Sequence, residues 1–329
     1  MKIIKEYLKS IEVENIITYK NMTTVGLKGL NFPEIEYLTL NEVMGKNLIE
    51  ITEVDESGIV STLNVTNNGD SSVLLFDGEE VKGAKQNRVL NTTILVPEYS
   101  EIQIPVSCTE QGRWDYKSPK FEDSGILASS KIRKCTTDSV SESLKQNNSY
   151  SSNQDVIWDE VDCLCDFSNV KSSTNAMNDV YEAKNDNLED YAKKFPLSNQ
   201  NGVLIFINNE IIGMELLSSE DNYAKYHKKI IKSYSLDALL NFQENNNDID
   251  FIQESKNFIN EIDTIDFIQK PSLGYGYDCR FINENMAGAL LIHENAVIHG
   301  AFFKKFSEEE EFEENIVSSS RKARNYINY

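Results

Sequence analysis

From Tyr37 onward, apolar and polar residues alternate with a period of two, the pattern of strands that bury one face. Leu48-Ile51-Val54 and Ile59-Leu63-Val65 flank the turn residues Asp55-Glu56-Ser57-Gly58. Asn67-Asn68-Gly69-Asp70 reads as a hairpin turn, because Asn and Gly tolerate positive φ. Residues 71–76, 88–96 and 101–106 are the next strands, the last two joined by Pro97-Glu98-Tyr99-Ser100. Short strands at this spacing imply a β-sandwich or barrel. Ahead of them, residues 1–8 predict a short amphipathic helix and 16–27 one or two strands.

The middle of the chain differs. Residues 117–154 are polar and rich in Ser, Asn and Lys. Ser129–Lys134 (SSKIRK) can start a helix, and the Ser/Asn-rich remainder reads as a mobile loop. Apolar spacing returns over 156–165, and 173–195 predicts one helix or two through Met177, Val180, Tyr181, Leu188, Tyr191 and Phe195. Residues 202–213 (GVLIFINNEIIG) then fold as a hairpin at Asn208-Asn209. The pattern recurs in 288–300 (GALLIHENAVIHG), so two equivalent hairpins of one sheet are expected, a weak internal repeat.

Between these hairpins, 219–240 is the clearest helix. Ser218 or Ser219 caps it, and Tyr223, Tyr226, His227, Ile230, Ile231, Tyr234 and Ala238 make an apolar stripe. Lys225, Lys228, Lys229 and Lys232 fall on the other faces and read as solvated. Residues 243–250 form an acidic, Asn-rich loop, and 307–329 a charged, helical or frayed end. The pattern therefore predicts an α+β fold, with a β-sandwich-like N-terminal half and a helix-plus-β-hairpin C-terminal half. It divides into 1–120, a loop and helical connection over 121–200, a hairpin–helix–hairpin unit over 201–305 and a tail from 306.

Composition narrows the function. A formal net charge of −21 over 329 residues lacks the basic face of a nucleic-acid binder. No run reaches the roughly 18 apolar residues of a membrane span, and Met1–Ser10 is broken by charge. Five sparse cysteines, at 108, 135, 163, 165 and 279, suit a reducing cytoplasm better than a disulfide framework. Cys163-Leu164-Cys165 stands alone and, if on a strand, points its thiols to opposite faces, a poor zinc clamp. Neither GxxxxGK[ST] nor GxGxxG after a strand occurs, so no nucleotide loop and no cofactor motif is read.

The chemistry concentrates between Phe76 and Trp114. Lys85, Arg88, Arg113 and, further on, Arg133 supply charges that match phosphate or carboxylate oxygens. Gln86, Asn87 and Gln111 can orient a sugar or base edge, and Trp114 can stack a ring. Glu110 or Glu80 is the candidate base for activating water. Cys108 sits near Arg113 with no His close in sequence, so a buried, inert thiol is the simpler reading. The same residues also read as an ion-paired network that fixes strand ends, or as a partner interface.

The runs DGEEVKGAKQNRVLNTTILVP and IPVSCTEQGRW, with QDVIW over 154–158, GVLIFINNEIIGMELL and SYSLDAL, resemble the ARPP-1 family. The likeness spans roughly residues 31–240, with Val81 where Leu is expected and a longer Asn-rich loop after Lys134. The family is named for association with ADP-ribosylglycohydrolases and rhodanese-phosphatases. The resemblance thus implies a role accessory to NAD and ADP-ribose metabolism, through an anionic, nucleotide-derived small molecule. The competing expectation is a non-catalytic protein-interaction module of a bacterial stress or phage-conflict system.

Overall fold

A computed structural model describes residues 2–33, 35–55, 58–243 and 248–305. The chain begins with helix α1 (Lys2–Ser10), which turns Ile4, Tyr7 and Leu8 inward, and a hairpin of β1 (Glu12–Tyr19) and β2 (Met22–Lys28). Then follow β3 (Leu38–Thr39), α2 (Leu40–Gly45), β4 (Ile49–Glu53) and β5 (Thr62–Asn67). Thr39 and Glu42 close a capping box that starts α2. Next come β6 (Val73–Leu75), β7 (Glu79–Gly83), β8 (Arg88–Leu90), β9 (Ile94–Val96), β10 (Ser100–Cys108) and β11 (Phe121–Leu127).

These short strands form two sheets. One runs β11-β7-β8-β10-β5-β4 and is antiparallel throughout; the other is β3-β6-β9, in which β3 and β6 run parallel. Leu63, Val65, Ile104, Val73, Leu75 and Val96 share one core, so this half is sandwich-like, as the alternation requires. The connections differ from the sequence expectation in two places. Asn67–Asp70 does not make a hairpin, because β5 and β6 lie in different sheets. Buried Asn67 instead organises a crossing, donating to the Ser71 and Pro97 carbonyls and accepting from the Gly69 N–H. The run 88–96 is likewise two strands of different sheets, broken at Asn91-Thr92-Thr93.

The polar middle is helical. Helix α3 (Ser130–Gln146) continues through the Ser-rich stretch that reads as a loop. Its Thr136, Ser139 and Ser141 hydroxyls donate back to carbonyls four residues earlier, so their polarity is satisfied within the helix. Helix α4 (Gln154–Ser168) carries Cys163 and Cys165, which are therefore helical rather than on a strand. Asn153 caps its start and Asn169, left-handed at φ 52°, ends it. Helices α5 (Met177–Ala183) and α6 (Asn185–Lys194) divide the expected 173–195 segment in two.

The rest builds an eight-stranded antiparallel sheet. Hairpin β12 (Gly202–Ile207)/β13 (Glu210–Leu217) is followed by α7 (Glu220–Leu240) and α8 (Phe251–Asp263). Then come β14 (Ile268–Pro271), β15 (Tyr277–Ile282) and the second hairpin, β16 (Met286–His293)/β17 (Ala296–Lys304). The sheet order is β1-β2-β12-β13-β17-β16-β15-β14, so the two look-alike hairpins meet edge to edge. Both turns place two residues at positive φ, Asn208-Asn209 and Glu294-Asn295, the two-residue turn that matches strand twist. Strand alternation sends Val203, Ile205 and Ile207 toward Tyr226, Ile230 and Tyr234 of α7. It sends Leu204 and Phe206 toward α1 and α8. The C-terminal tail from 306 lies outside the described residues.

Candidate functional site

The β7–β8 connection and the segment that leaves β10 are held together by Arg113. Its guanidinium donates to both Glu110 oxygens at 2.9 and 2.7 Å, to the carbonyls of Ala84, Asp115 and Gly83, and to Asn87 Oδ1. Glu110 also accepts from the Asn87 N–H and the Thr174 hydroxyl. Burial raises the Glu110 carboxyl, but the Arg113 and Thr174 hydrogen bonds and the charge of Arg113 outweigh it. The carboxyl is held below its ordinary value. Gly112 packs so closely on Thr174 that a Cβ would come within 2.9 Å of backbone, and its N–H donates to the Thr174 carbonyl. This explains the small residue inside CTEQGRW. Arg113 and Glu110 are the staple of the loop.

Beneath this staple lies Arg88, 0% exposed. Nη1 donates to Gln86 Oε1 and the Asn87 carbonyl. Nε and Nη2 have no hydrogen-bond partner, nor does Oε2 of Glu53, whose Oε1 stands 3.9 Å from Arg88 Nη2. Burial lowers the Arg88 pKa. Cys108 donates to Gln86 Oε1, and burial pushes its thiol up to about 11 despite Arg88, the state of an inert thiol. Above them Lys85 lies over the rings of Trp114 and Tyr116, at 5.2 and 5.1 Å. Those rings form an aromatic rim, 43% and 52% exposed. Gln111 is exposed on the same segment.

The other two predicted residues lie apart from Arg88. Glu80, 0% exposed, accepts from Thr109 and from Asn178 of α5. Burial pushes its carboxyl up to about 7 against these hydrogen bonds. Arg133 of α3 is also buried, 1% exposed, and fully paired, with Asp77 on one side and Glu215 of β13 on the other. His299 of β17 and Tyr234 of α7 join the same Glu215. Gly78, at φ +79°, passes so near Arg133 that a Cβ would meet its side chain at 2.7 Å. The eight remaining residues, from Lys85 to Trp114, are brought together as the sequence implies.

A family model described as the ARG and Rhodanese-Phosphatase-superfamily-associated Protein domain, ARPP-1, matches residues 10–303. The chain belongs to the ARPP-1 family. No curated protein and no solved structure gives a match. Among the described residues of this ARPP-1 chain, no helix is long and apolar enough to cross a membrane. Among the same described residues, no three of His, Cys, Asp and Glu group to hold a metal ion. Several residues at the ARPP-1 sites carry no sequence signal. Glu53 comes from β4, Thr174 and Asn178 from the α4–α5 region, and Glu215 and His299 from the far sheet. No spacing rule links residues 35 to 98 positions from their partners.

Proposed function

We propose that this chain binds an anionic, nucleotide-derived small molecule of the ADP-ribose kind over Arg88, beneath the Trp114–Tyr116 rim. The observation that carries the reading is the pair of buried Arg88 nitrogens, Nε and Nη2, that make no hydrogen bond, beside Glu53, whose Oε1 stands 3.9 Å from Nη2 and whose Oε2 is itself without a hydrogen bond. Buried groups of this kind are ordinarily satisfied, and a ligand is one way to satisfy them. A phosphate accepts from the Arg88 fork with Lys85 beside it, while a ribose hydroxyl donates to Glu53. The half-exposed rings offer a face to the base. Arg113 and Glu110 hold this arrangement in shape and meet no ligand directly. The family's association with ARG and rhodanese-phosphatase-superfamily proteins points the same way.

The test is calorimetric titration of the chain with ADP-ribose, NAD and ribose 5-phosphate. Trp114 is exposed, so Trp114→Ala should leave the fold intact. Loss of one base–aromatic stack is worth about 1–3 kcal/mol, roughly 5- to 150-fold in affinity. Binding that is equally tight in Trp114→Ala and Arg88→Lys refutes the site. A flat panel favours the interaction-module reading, for which the exposed Trp114 and Tyr116 are the natural contact surface.

A further inference from the structure

A cleft with a volume of about 300 Å³ is bounded by β11, the α5–α6 corner and one face of α7. That reaches the size range of small-molecule sites, about 300–1,000 Å³. Its polar wall presents Ser124, Asn178, Asn185, Lys229 and Lys232, and its apolar wall includes Tyr181 and Leu188. We propose that this cleft binds a neutral, polyhydroxylated molecule of pentose or hexose size, independently of the Arg88 site.

The charges decide the ligand class. Lys229 Nζ lies 2.7 Å from Glu79 Oε1 and 3.3 Å from Asp123. Lys232 Nζ lies 2.6 Å from Glu189 and 3.2 Å from Asn185 Oδ1. Both ammonium groups are already neutralised within the protein. An anion entering the cleft would have to compete with carboxylates, one of which, Glu79, is fully buried. A hydroxyl carries no such conflict, since it accepts from one neighbour and donates to another.

The side chains beside the lysines have the matching valences. Asn178 spends one N–H on Glu80, which leaves its carbonyl oxygen to accept from a ligand hydroxyl. Ser124 is fixed by the same Glu80, to which it is hydrogen-bonded, and accepts from the Ile126 N–H. Glu80 is therefore a positioning residue, set behind the wall and anchoring two of its polar groups. Ile126, half-buried on the lining, offers carbon surface to the C–H faces of a sugar ring, while Tyr181, whose hydroxyl donates to the Leu127 carbonyl, and Leu188 are buried. At Gly125 the wall opens, with nothing within 4 Å of where a Cβ would stand.

The experiment is saturation-transfer NMR on the full chain with D-ribose, D-xylose, D-glucose and myo-inositol, with ribose 5-phosphate as the anionic arm. The expected result is millimolar binding of at least one neutral polyol. It should weaken at least fivefold in Asn178→Ala and vanish in Asn185→Trp, where an indole enters the cleft from an exposed position. Trp114→Ala should leave it unchanged, which separates this site from the one over Arg88. Absence of any polyol signal in the folded wild type overturns the proposal. So does polyol binding that survives Asn185→Trp. Tighter binding of ribose 5-phosphate than of ribose, lost in Asn185→Trp but kept in Trp114→Ala, overturns the assignment of a neutral ligand.

Discussion

Neighbouring carboxylates with different partners show how much one backbone position decides. Glu79 and Glu80 are adjacent on β7, so they point to opposite faces. Glu79 meets Lys229, whereas Glu80 meets only neutral donors and sits near a like charge, Glu110. With its folded pKa at about 7 against 4.5 unfolded, Glu80 contributes stability that is fully present below pH 4.5. That contribution is lost as pH climbs through about 7. Above that, holding the carboxylate ionised in the interior costs about 3 kcal/mol. Glu80→Gln keeps the shape, its carbonyl facing Asn178 and its amide donating to a reoriented Thr109 hydroxyl. The variant should gain on wild type by up to that amount at pH 8, with the gap closing toward pH 5, measured as urea midpoints across the range. A gap independent of pH rejects the assignment. The run of polar residues in GEEVKGAKQNR made the site visible in the sequence, but no pattern distinguishes these two glutamates. Their difference comes from Lys229 and Asn178, contributed by helices 98 to 150 positions away.

Where periodicity and capping agree, elements are readable from sequence. Helix α7 starts where expected: Ser219 accepts from the Asn222 N–H at 3.1 Å, and the Tyr226-Ile230-Tyr234 stripe packs on the sheet. Removing that cap by Ser219→Ala should cost about 1 kcal/mol, seen as a lower denaturation midpoint with unchanged slope. Ser218→Ala should not act through the helix, because Ser218 Oγ bonds Tyr37 and Asn222 side chains rather than a helix N–H. Equal losses in the two would contradict the capping role. Helix α3 was hidden because Ser and Thr are poor helix formers in isolation, whereas its buried Ile132, Val140 and Leu144 supply the packing that composition understates. Asn67 misled in the opposite sense. Its turn chemistry is real, but its side chain ties the chain to Pro97, thirty residues on, and so sends β6 into another sheet.

At the scale of the molecule, the sandwich-like half, the eight-stranded sheet and two of the helices converge on one buried charge network. Asp77 precedes β7 of the sandwich, Arg133 lies on α3, Glu215 and His299 belong to β13 and β17, and Tyr234 comes from α7. Burial lowers the Arg133 pKa, but the charges of Asp77 and Glu215 more than reverse this and hold the guanidinium well above its ordinary value. Asp77 in turn stays below its ordinary pKa, because Arg133 and His299 outweigh its burial. Desolvation of such groups consumes much of what their attraction returns, so the network is expected to define how the layers dock more than to add net stability. The two contributions separate in a mutant cycle. Arg133→Met alone strands two carboxylates in the interior and should cost about 3–5 kcal/mol. Adding Asp77→Asn and Glu215→Gln removes the stranded charges, so the triple variant should be less destabilised than the sum of its single changes, and more stable than Arg133→Met itself. Guanidinium unfolding monitored by tryptophan fluorescence and by far-ultraviolet circular dichroism provides the readout. Additive losses would mean that each residue acts alone and that the sheets are joined by their apolar contacts; strong recovery in the triple variant would place the electrostatic cost in the unpaired acids, as the geometry of Arg133 between them requires.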